Sequence, residues 1–118
     1  MKIRIKGNSI RLRLSQSEVN KIKSESSISD VIQFPERKLI YTLSKSDIDS
    51  VCAEFNETQI LVKAPVVLIN TWVGSGQVGF EANQDLKEGE SLYILVEKDF
   101  KCSIDRNEDE SDLFDPPI

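Results

Sequence analysis

Apolar and charged side chains alternate at the start of the chain, and this alternation limits what the chain can fold into. Residues 1–6 read MKIRIK and residues 9–14 read SIRLRL. A period of two residues is typical of a β-strand with one buried face. Gly7-Asn8 lies between the runs and favours a two-residue hairpin turn, because both residues tolerate positive φ. The predicted register pairs Lys2 with Arg13 and Arg4 with Arg11, with every isoleucine and leucine on one face.

The rest of the sequence predicts further hairpins and two short helices. Ser15 and Glu18 form a capping box, which opens a helix through about residue 24. Pro65 precedes an apolar run that fits a buried strand or a short helix, and the spacing over residues 65–74 favours the helix. Strands are predicted at residues 30–34, 38–43, 51–55, 59–63, 78–82 and 92–98. No internal repeat is visible.

These elements indicate the fold class and the domain organisation. A chain of 118 residues has the usual length of one domain. We predict an α+β domain that is predominantly antiparallel β, with about eight strands in a curved sheet or barrel and one or two short helices. Residues 1–104 are predicted to form this single β-rich domain. Residues 105–118 are acidic and are predicted to form a flexible tail, where a cation site is the less favoured interpretation.

Composition excludes several kinds of site and location. The chain has no histidine, so it lacks the usual general base and the commonest metal ligand. Cys52 and Cys102 do not form a metal-binding spacing. We therefore predict no catalytic residue, no metal and no cofactor. No apolar stretch reaches the length of a membrane span and no signal peptide precedes the domain, which predicts a cytoplasmic protein.

Charge is segregated along the chain. The net charge is −5, yet residues 1–13 carry five basic groups and no acid, whereas residues 97–118 carry eight acids and three bases. Overall acidity makes nucleic acid an improbable partner, because binding to phosphate backbones normally needs a broad basic surface. A local site for an anion is compatible with this distribution.

The basic hairpin is the predicted ligand site. Like charges that face each other across a sheet oppose pairing, so something should compensate them. One interpretation is a bound anion held by guanidinium groups. The other is neutralisation by the protein's own acids, either the tail or Glu81 and Glu97 on neighbouring strands, or simple exposure to water. The predicted anion ligands are Lys2, Arg4, Lys6, Arg11 and Arg13, with Glu81 and Glu97 as possible supporting carboxylates.

A glycine pattern at Gly74, Gly76 and Gly79 matches that of dinucleotide-binding loops. That loop needs a strand before it and a helix after it. Here the residues after the glycines are predicted to continue as a strand, so a glycine-rich connection is the favoured interpretation.

Two resemblances add to this picture. The phrases GNSIRLRL, VGFEA and LVEKDFKC, followed by EDESD, resemble a family of short bacterial proteins of unknown function. That resemblance implies a stand-alone domain and no particular activity. The lysines and arginines of the basic hairpin, Lys2, Arg4, Lys6, Arg11 and Arg13, form a basic row. This row is more weakly similar to triphosphate-tunnel enzymes, antiparallel barrels that hold a polyphosphate and a metal. Their opening glutamates are lysine and arginine here, which removes the metal site that this similarity implies.

The favoured function is a non-enzymatic binding or adaptor module. Its partner would be a phosphate-bearing small molecule or an acidic protein segment. One alternative is a small phosphate-ester or nucleotide-processing enzyme of the triphosphate-tunnel type, with Glu81 and Glu97 available for metal binding or proton transfer. The other alternative is a purely structural interaction domain.

Overall fold

The computed structural model describes residues 1–101 and 111–117, and its elements follow the order ββαββ twice. No helix in those two ranges has the length and apolarity needed to cross a bilayer. A 3₁₀ turn at Lys87–Gly89 lies between the last two strands. The elements are β1 Lys2–Ile5, β2 Ser9–Leu14, α1 Gln16–Glu25, β3 Ser27–Gln33, β4 Lys38–Ser46, β5 Cys52–Asn56, β6 Gln59–Pro65, α2 Val66–Val73, β7 Gly79–Asp85 and β8 Ser91–Lys98.

The eight strands form two four-stranded sheets. Sheet 1 has the order β1-β2-β8-β7 and sheet 2 has the order β3-β4-β6-β5. Neighbouring strands are antiparallel except in the middle of each sheet, where β2 runs parallel to β8 and β4 runs parallel to β6. The predicted α+β class, the eight strands and the two helices are confirmed. The barrel alternative is wrong, because within the two described ranges each sheet has two edge strands and neither sheet closes on itself.

The two halves of the chain have the same topology and exchange strands. Each half contributes a hairpin, a helix and a second hairpin, and the hairpins of one half lie in different sheets. Buried residues recur at the same spacing: Leu12, Leu14, Val19 and Ile22 in the first half, and Val62, Ala64, Ile69 and Trp72 in the second. The structure therefore contains a repeat that the sequence does not reveal, because residues at matching positions differ as much as Ile22 and Trp72.

Local signals account for most element boundaries. The N-terminal hairpin has the predicted register, with Arg4 opposite Arg11. Helix α1 begins with the predicted capping box, in which the Ser15 hydroxyl accepts from the Glu18 N–H and the Glu18 carboxylate accepts from the Ser15 N–H. Residues 66–73 are helical, so the helical interpretation of this segment is correct. The buried side of α2 is formed by Ile69 and Trp72, whereas Val66 at its first turn is 42% exposed.

One hydrophobic core lies between the sheets and the helices. Its largest buried side chain is Trp72, whose ring centroid lies 5.4 Å from that of Phe80 in an edge-to-face arrangement. The indole N–H of Trp72 donates to the Val78 carbonyl at 3.1 Å. This bond satisfies the one polar atom that the tryptophan side chain would otherwise bury unpaired.

Residues 111–117, near the end of the chain, pack against the rest of the structure. Leu113 is 7% exposed, and Phe114 pairs with Phe100 through a β-bridge and a tilted ring contact. The Gln16 N–H donates to the Asp112 carbonyl at 2.9 Å. Residues 111–117 therefore contact both α1 and the segment after β8. The part of the predicted tail at residues 105–110 lies outside the described residues, and the boundary at residue 105 stays a prediction.

Candidate anion-binding site

The basic row lies on the outer face of sheet 1. Leu12 and Leu14 are fully buried, so the residues that alternate with them on β2 direct their side chains to the opposite face. Arg11 and Arg13 are therefore on the outside, next to Arg4 on β1. Antiparallel pairing of β1 and β2 thus brings the predicted cations of both strands to one surface.

Acidic residues of the protein neutralise part of this row. Glu97 on β8 forms ion pairs with both arginines of β2 through one oxygen. Its Oε1 atom accepts a hydrogen bond from Arg13 Nε at 2.9 Å and lies 3.0 Å from Arg11 Nε. Lys2 Nζ lies 2.9 Å from Oδ2 of Asp99, which is 5% exposed. Glu97 was anticipated from the sequence as a supporting carboxylate. The sequence did not indicate Asp99 as a partner of the basic row. It follows the end of β8, where the alternation along a strand no longer predicts which face a side chain lies on.

Glu81 has a different partner. It lies on β7 opposite Leu95, so strand β8 separates it from the arginines of β2. Its carboxylate accepts from the Tyr93 hydroxyl, and this hydrogen bond raises the pKa of Tyr93 above its usual value of 10.0. Glu81 and Glu97 therefore interact with different partners in the structure.

A shallow pocket of about 320 Å³ lies at the turn end of the basic row. Its wall contains three cations and no carboxylate. Within the two described ranges, the side chains of Arg4 and Lys6 make no ion pair. The lining residues are Arg4, Lys6, Ser9, Ile10, Arg11, Tyr93 and Leu95.

A second, smaller hollow of about 210 Å³ adjoins the first along the row. Lys2, Arg4, Arg11 and Arg13 line it together with Ile3. Arg4 and Arg11 therefore belong to both hollows, and they lie directly opposite each other in the strand register. Like charges opposite each other across a sheet repel, and an added anion would reduce this repulsion.

The other candidate motifs do not form sites in the described part of the chain. No group of three or more cysteine, aspartate or glutamate side chains that could hold a metal ion occurs within residues 1–101 and 111–117. Helix α2 precedes the glycine pattern and β7 follows it, the reverse of the order that a nucleotide loop requires. Asp105, Glu108, Asp109 and Glu110, the centre of the acidic cation hypothesis, lie outside the described residues.

The chain matches the model of a protein family. The model of the Family of unknown function (DUF7009) matches residues 1–118. The chain belongs to this family. No curated protein and no solved structure matches the chain. The predicted membership in a family of unknown function is therefore confirmed, and DUF7009 extends over the sheets, the helices and the basic row alike.

Proposed function

We propose that this DUF7009 protein is a non-enzymatic binding module that takes a phosphate-bearing small molecule on the outer face of sheet 1. The residues that bind its phosphate group are Arg4, Lys6 and Arg11. The observation that carries the proposal is the pocket itself: cations from two adjacent strands line one hollow whose wall holds no carboxylate. A phosphate group would supply the negative charge that Arg4 and Lys6 do not receive from a carboxylate in the described residues.

The chemistry of the three side chains supports a phosphate ligand. A guanidinium group has five N–H donors, so the ion pair of Arg11 with Glu97 is compatible with hydrogen bonds from Arg11 to phosphate oxygens. Lys6 adds a compact positive charge. Tyr93 and Leu95 give the same pocket an aromatic and an aliphatic surface, on which the apolar part of a phosphate ester would lie.

The enzyme alternative has less support. A tunnel enzyme needs a closed barrel with its cations directed inward, whereas this row lies outside an open sheet. Glu97 forms ion pairs with two arginines and Glu81 accepts a hydrogen bond from the Tyr93 hydroxyl, so both carboxylates already have partners within the protein. A bacterial origin and a cytoplasmic location stay predictions from the sequence.

Calorimetry and thermal unfolding with phosphate, pyrophosphate and a nucleoside diphosphate test the proposal. A ligand present at 100 times its Kd should stabilise the native protein by about 2.7 kcal/mol. Replacing Arg4→Ala together with Lys6→Ala should weaken binding at least about tenfold, because two charge-assisted contacts are lost. The matched control is Arg37→Ala with Lys38→Ala, which removes the same two residue types from the β3–β4 turn.

A third variant separates this site from a general attraction of anions to positive charge. Glu97→Gln releases Arg11 and Arg13 from their shared carboxylate, so it should tighten phosphate binding while lowering stability by about 1 kcal/mol. Binding that survives the Arg4 and Lys6 replacements, or that the control variant abolishes, would contradict the proposal. Binding of an acidic peptide, with no response to any phosphate, would assign the surface to a protein partner.

A further inference from the structure

An apolar hollow opens between the two sheets, at the end of the molecule away from the helices. Strands β2 and β6 lead directly into α1 and α2, and the two helices contact each other, so both helices lie at one end of the sheets. The β1–β2 and β5–β6 turns precede the same two strands and therefore lie at the other end. The hollow at that end has a volume of about 370 Å³.

The wall of the apolar hollow continues the inner faces of both sheets. Ile10 and Ile60 lie two positions before the fully buried Leu12 and Val62, so alternation places all four side chains on inner faces. Both isoleucines are partly buried and pack against the core. The inner-face side chains that line the hollow are Ile5, Ile10, Leu39, Phe55, Ile60 and Leu92.

Two large apolar side chains are exposed at the rim of the apolar hollow. Ile5 is 61% exposed and Phe55 is 73% exposed. They occupy matching positions in the two halves of the chain, because Ile5 pairs with Ile10 and Phe55 pairs with Ile60 across the respective hairpins. A hydrocarbon bound here would remove the apolar surface of both side chains from water, which favours binding.

The polar side chains along the apolar hollow are already bonded within the protein. The Asn8 amide and the Ser9 hydroxyl each donate to a backbone carbonyl, at 2.7 Å and 2.6 Å. Glu54 forms an ion pair with Lys63. The sugar and base of a nucleotide would therefore bury polar groups without partners in this hollow, which costs free energy. A hydrocarbon has no such cost, and the volume is that of a small-molecule site.

The apolar hollow and the proposed phosphate pocket meet at the β1–β2 turn. The phosphate pocket lies on the outer face of sheet 1 and the apolar hollow on its inner face, and Ser9 and Ile10 line both. Gly7 borders the apolar hollow without a side chain, and a Cβ atom added there would meet nothing within 4 Å. The turn therefore leaves room for a flexible chain to pass from the outer face to the inner face.

We infer that the phosphate ligand is the monoester of an aliphatic alcohol, whose hydrocarbon chain passes over Gly7 into the apolar hollow. This inference rests on the proposed function and adds the chemical class of the ligand. The first carbons lie along Tyr93, which is opposite Ser9 beside the turn. The remaining carbons lie between the sheets and cover Ile5 and Phe55.

Calorimetric titration with inorganic phosphate, butyl phosphate and octyl phosphate tests the inference. Each methylene that the apolar hollow buries should lower the Kd about fourfold. Because the first carbons only cross the turn, octyl phosphate should bind at least about tenfold more tightly than butyl phosphate. Octanol should compete with octyl phosphate for the hollow, and it should not compete with inorganic phosphate.

Replacing Ile5→Ser together with Phe55→Ser removes the apolar rim. The preference for octyl over butyl phosphate should then fall below about threefold. The Kd of inorganic phosphate should not change, because neither residue lines the phosphate pocket. The matched control is Val67→Ser with Phe34→Ser, which removes an aliphatic and an aromatic side chain that are 77% and 47% exposed outside the hollow. This control should keep the full preference.

The outcomes separate this inference from the proposed function. Equal affinities for butyl and octyl phosphate, or a preference that survives the Ile5 and Phe55 replacements, would overturn the hydrocarbon assignment and leave phosphate binding intact. If none of the three compounds binds, the proposed function fails and this inference fails with it. Binding to vesicles that contain phosphatidic acid, without binding of octyl phosphate, would overturn the inference in favour of a membrane surface.

Discussion

Single residues decide how much of the basic row is available. Arg11 and Arg13 lie two positions apart on β2, and one oxygen of Glu97 forms an ion pair with both. The pairing is possible because β8 runs parallel to β2 and sets Glu97 directly opposite Arg13. Arg4 and Lys6 lie on the other side of β2, outside the reach of that carboxylate. The ion pairs of the two β2 arginines thus follow from which strand neighbours β2.

The glycine pattern has a packing role at one of its positions. Gly79 begins β7 opposite Glu97, and a Cβ atom there would lie 2.9 Å from the Glu97 Cβ and clash with the Val96 carbonyl oxygen. Gly79→Ala should therefore destabilise the protein by about 1–3 kcal/mol, as overpacking does. Denaturant unfolding measures the change.

Gly76→Ala is the matched control for that replacement. A Cβ atom at Gly76 would meet nothing within 4 Å, and the residue does not adopt positive φ. Its free energy of unfolding should stay within about 0.5 kcal/mol of the wild type. Equal losses in the two variants would mean that the close approach of β7 to β8 does not explain why residue 79 is glycine.

At the scale of elements, α1 is capped from two directions. The Ser15 hydroxyl accepts from the Glu18 N–H, as the capping box predicts. The remaining first-turn donors are satisfied by Asp112 from the end of the chain: its carbonyl accepts from the Gln16 N–H, and its carboxylate accepts from the Ser17 N–H at 3.1 Å and the Ser17 hydroxyl at 2.6 Å. A negative charge at a helix N-terminus also interacts favourably with the helix dipole.

Asp112→Asn tests this contact. The hydrogen bonds from the Ser17 and Ser15 hydroxyls lower the pKa of Asp112 below its usual value of 3.8. Because the folded-state pKa is the lower one, the stabilisation is present above pH 3.8 and is lost as the pH falls through the folded-state pKa. Near neutral pH the variant should lose about 0.5 kcal/mol, a small value for a cap because the carboxylate is exposed to solvent.

The pH dependence distinguishes the cap from a general effect of charge. The difference in stability between Asp112→Asn and wild type, from thermal unfolding, should shrink below pH 3.8. Asp115→Asn is the control, since Asp115 is 84% exposed and pairs with Lys101 rather than with α1. A control variant that loses as much stability as Asp112→Asn would show that the loss comes from net charge.

Local elements were predictable and their long-range partners were not. The hairpin register of β1 and β2 follows from alternation and a two-residue turn, and α1 follows from Ser15 and Glu18, because each signal lies within a few residues of the structure it determines. Nothing local indicates that β2 neighbours β8 or that Asp112 returns to α1. The sequence therefore identified the cations of the candidate site but not which of them Glu97 and Asp99 neutralise.

At the scale of the whole molecule, the repeat is interlocked. Sheet 1 takes β1 and β2 from the first half and β7 and β8 from the second, and sheet 2 is built in the corresponding way. The parallel pairs at the sheet centres, β2 with β8 and β4 with β6, both join one half to the other. Neither half contains a complete sheet, so neither half can bury its strands by itself.

This exchange predicts that the described domain unfolds in one cooperative step. Trp72 is the chain's single tryptophan and is fully buried against Phe80 of sheet 1. Its fluorescence therefore reports packing between α2 and sheet 1, whereas far-ultraviolet circular dichroism reports both sheets and both helices. The two signals should give the same denaturant midpoint and the same slope. If sheet 2 instead survived after Trp72 had become exposed, the dichroism curve would show a second step at higher denaturant. That result would mean that the parallel strand pairs at the sheet centres do not couple the unfolding of the two halves.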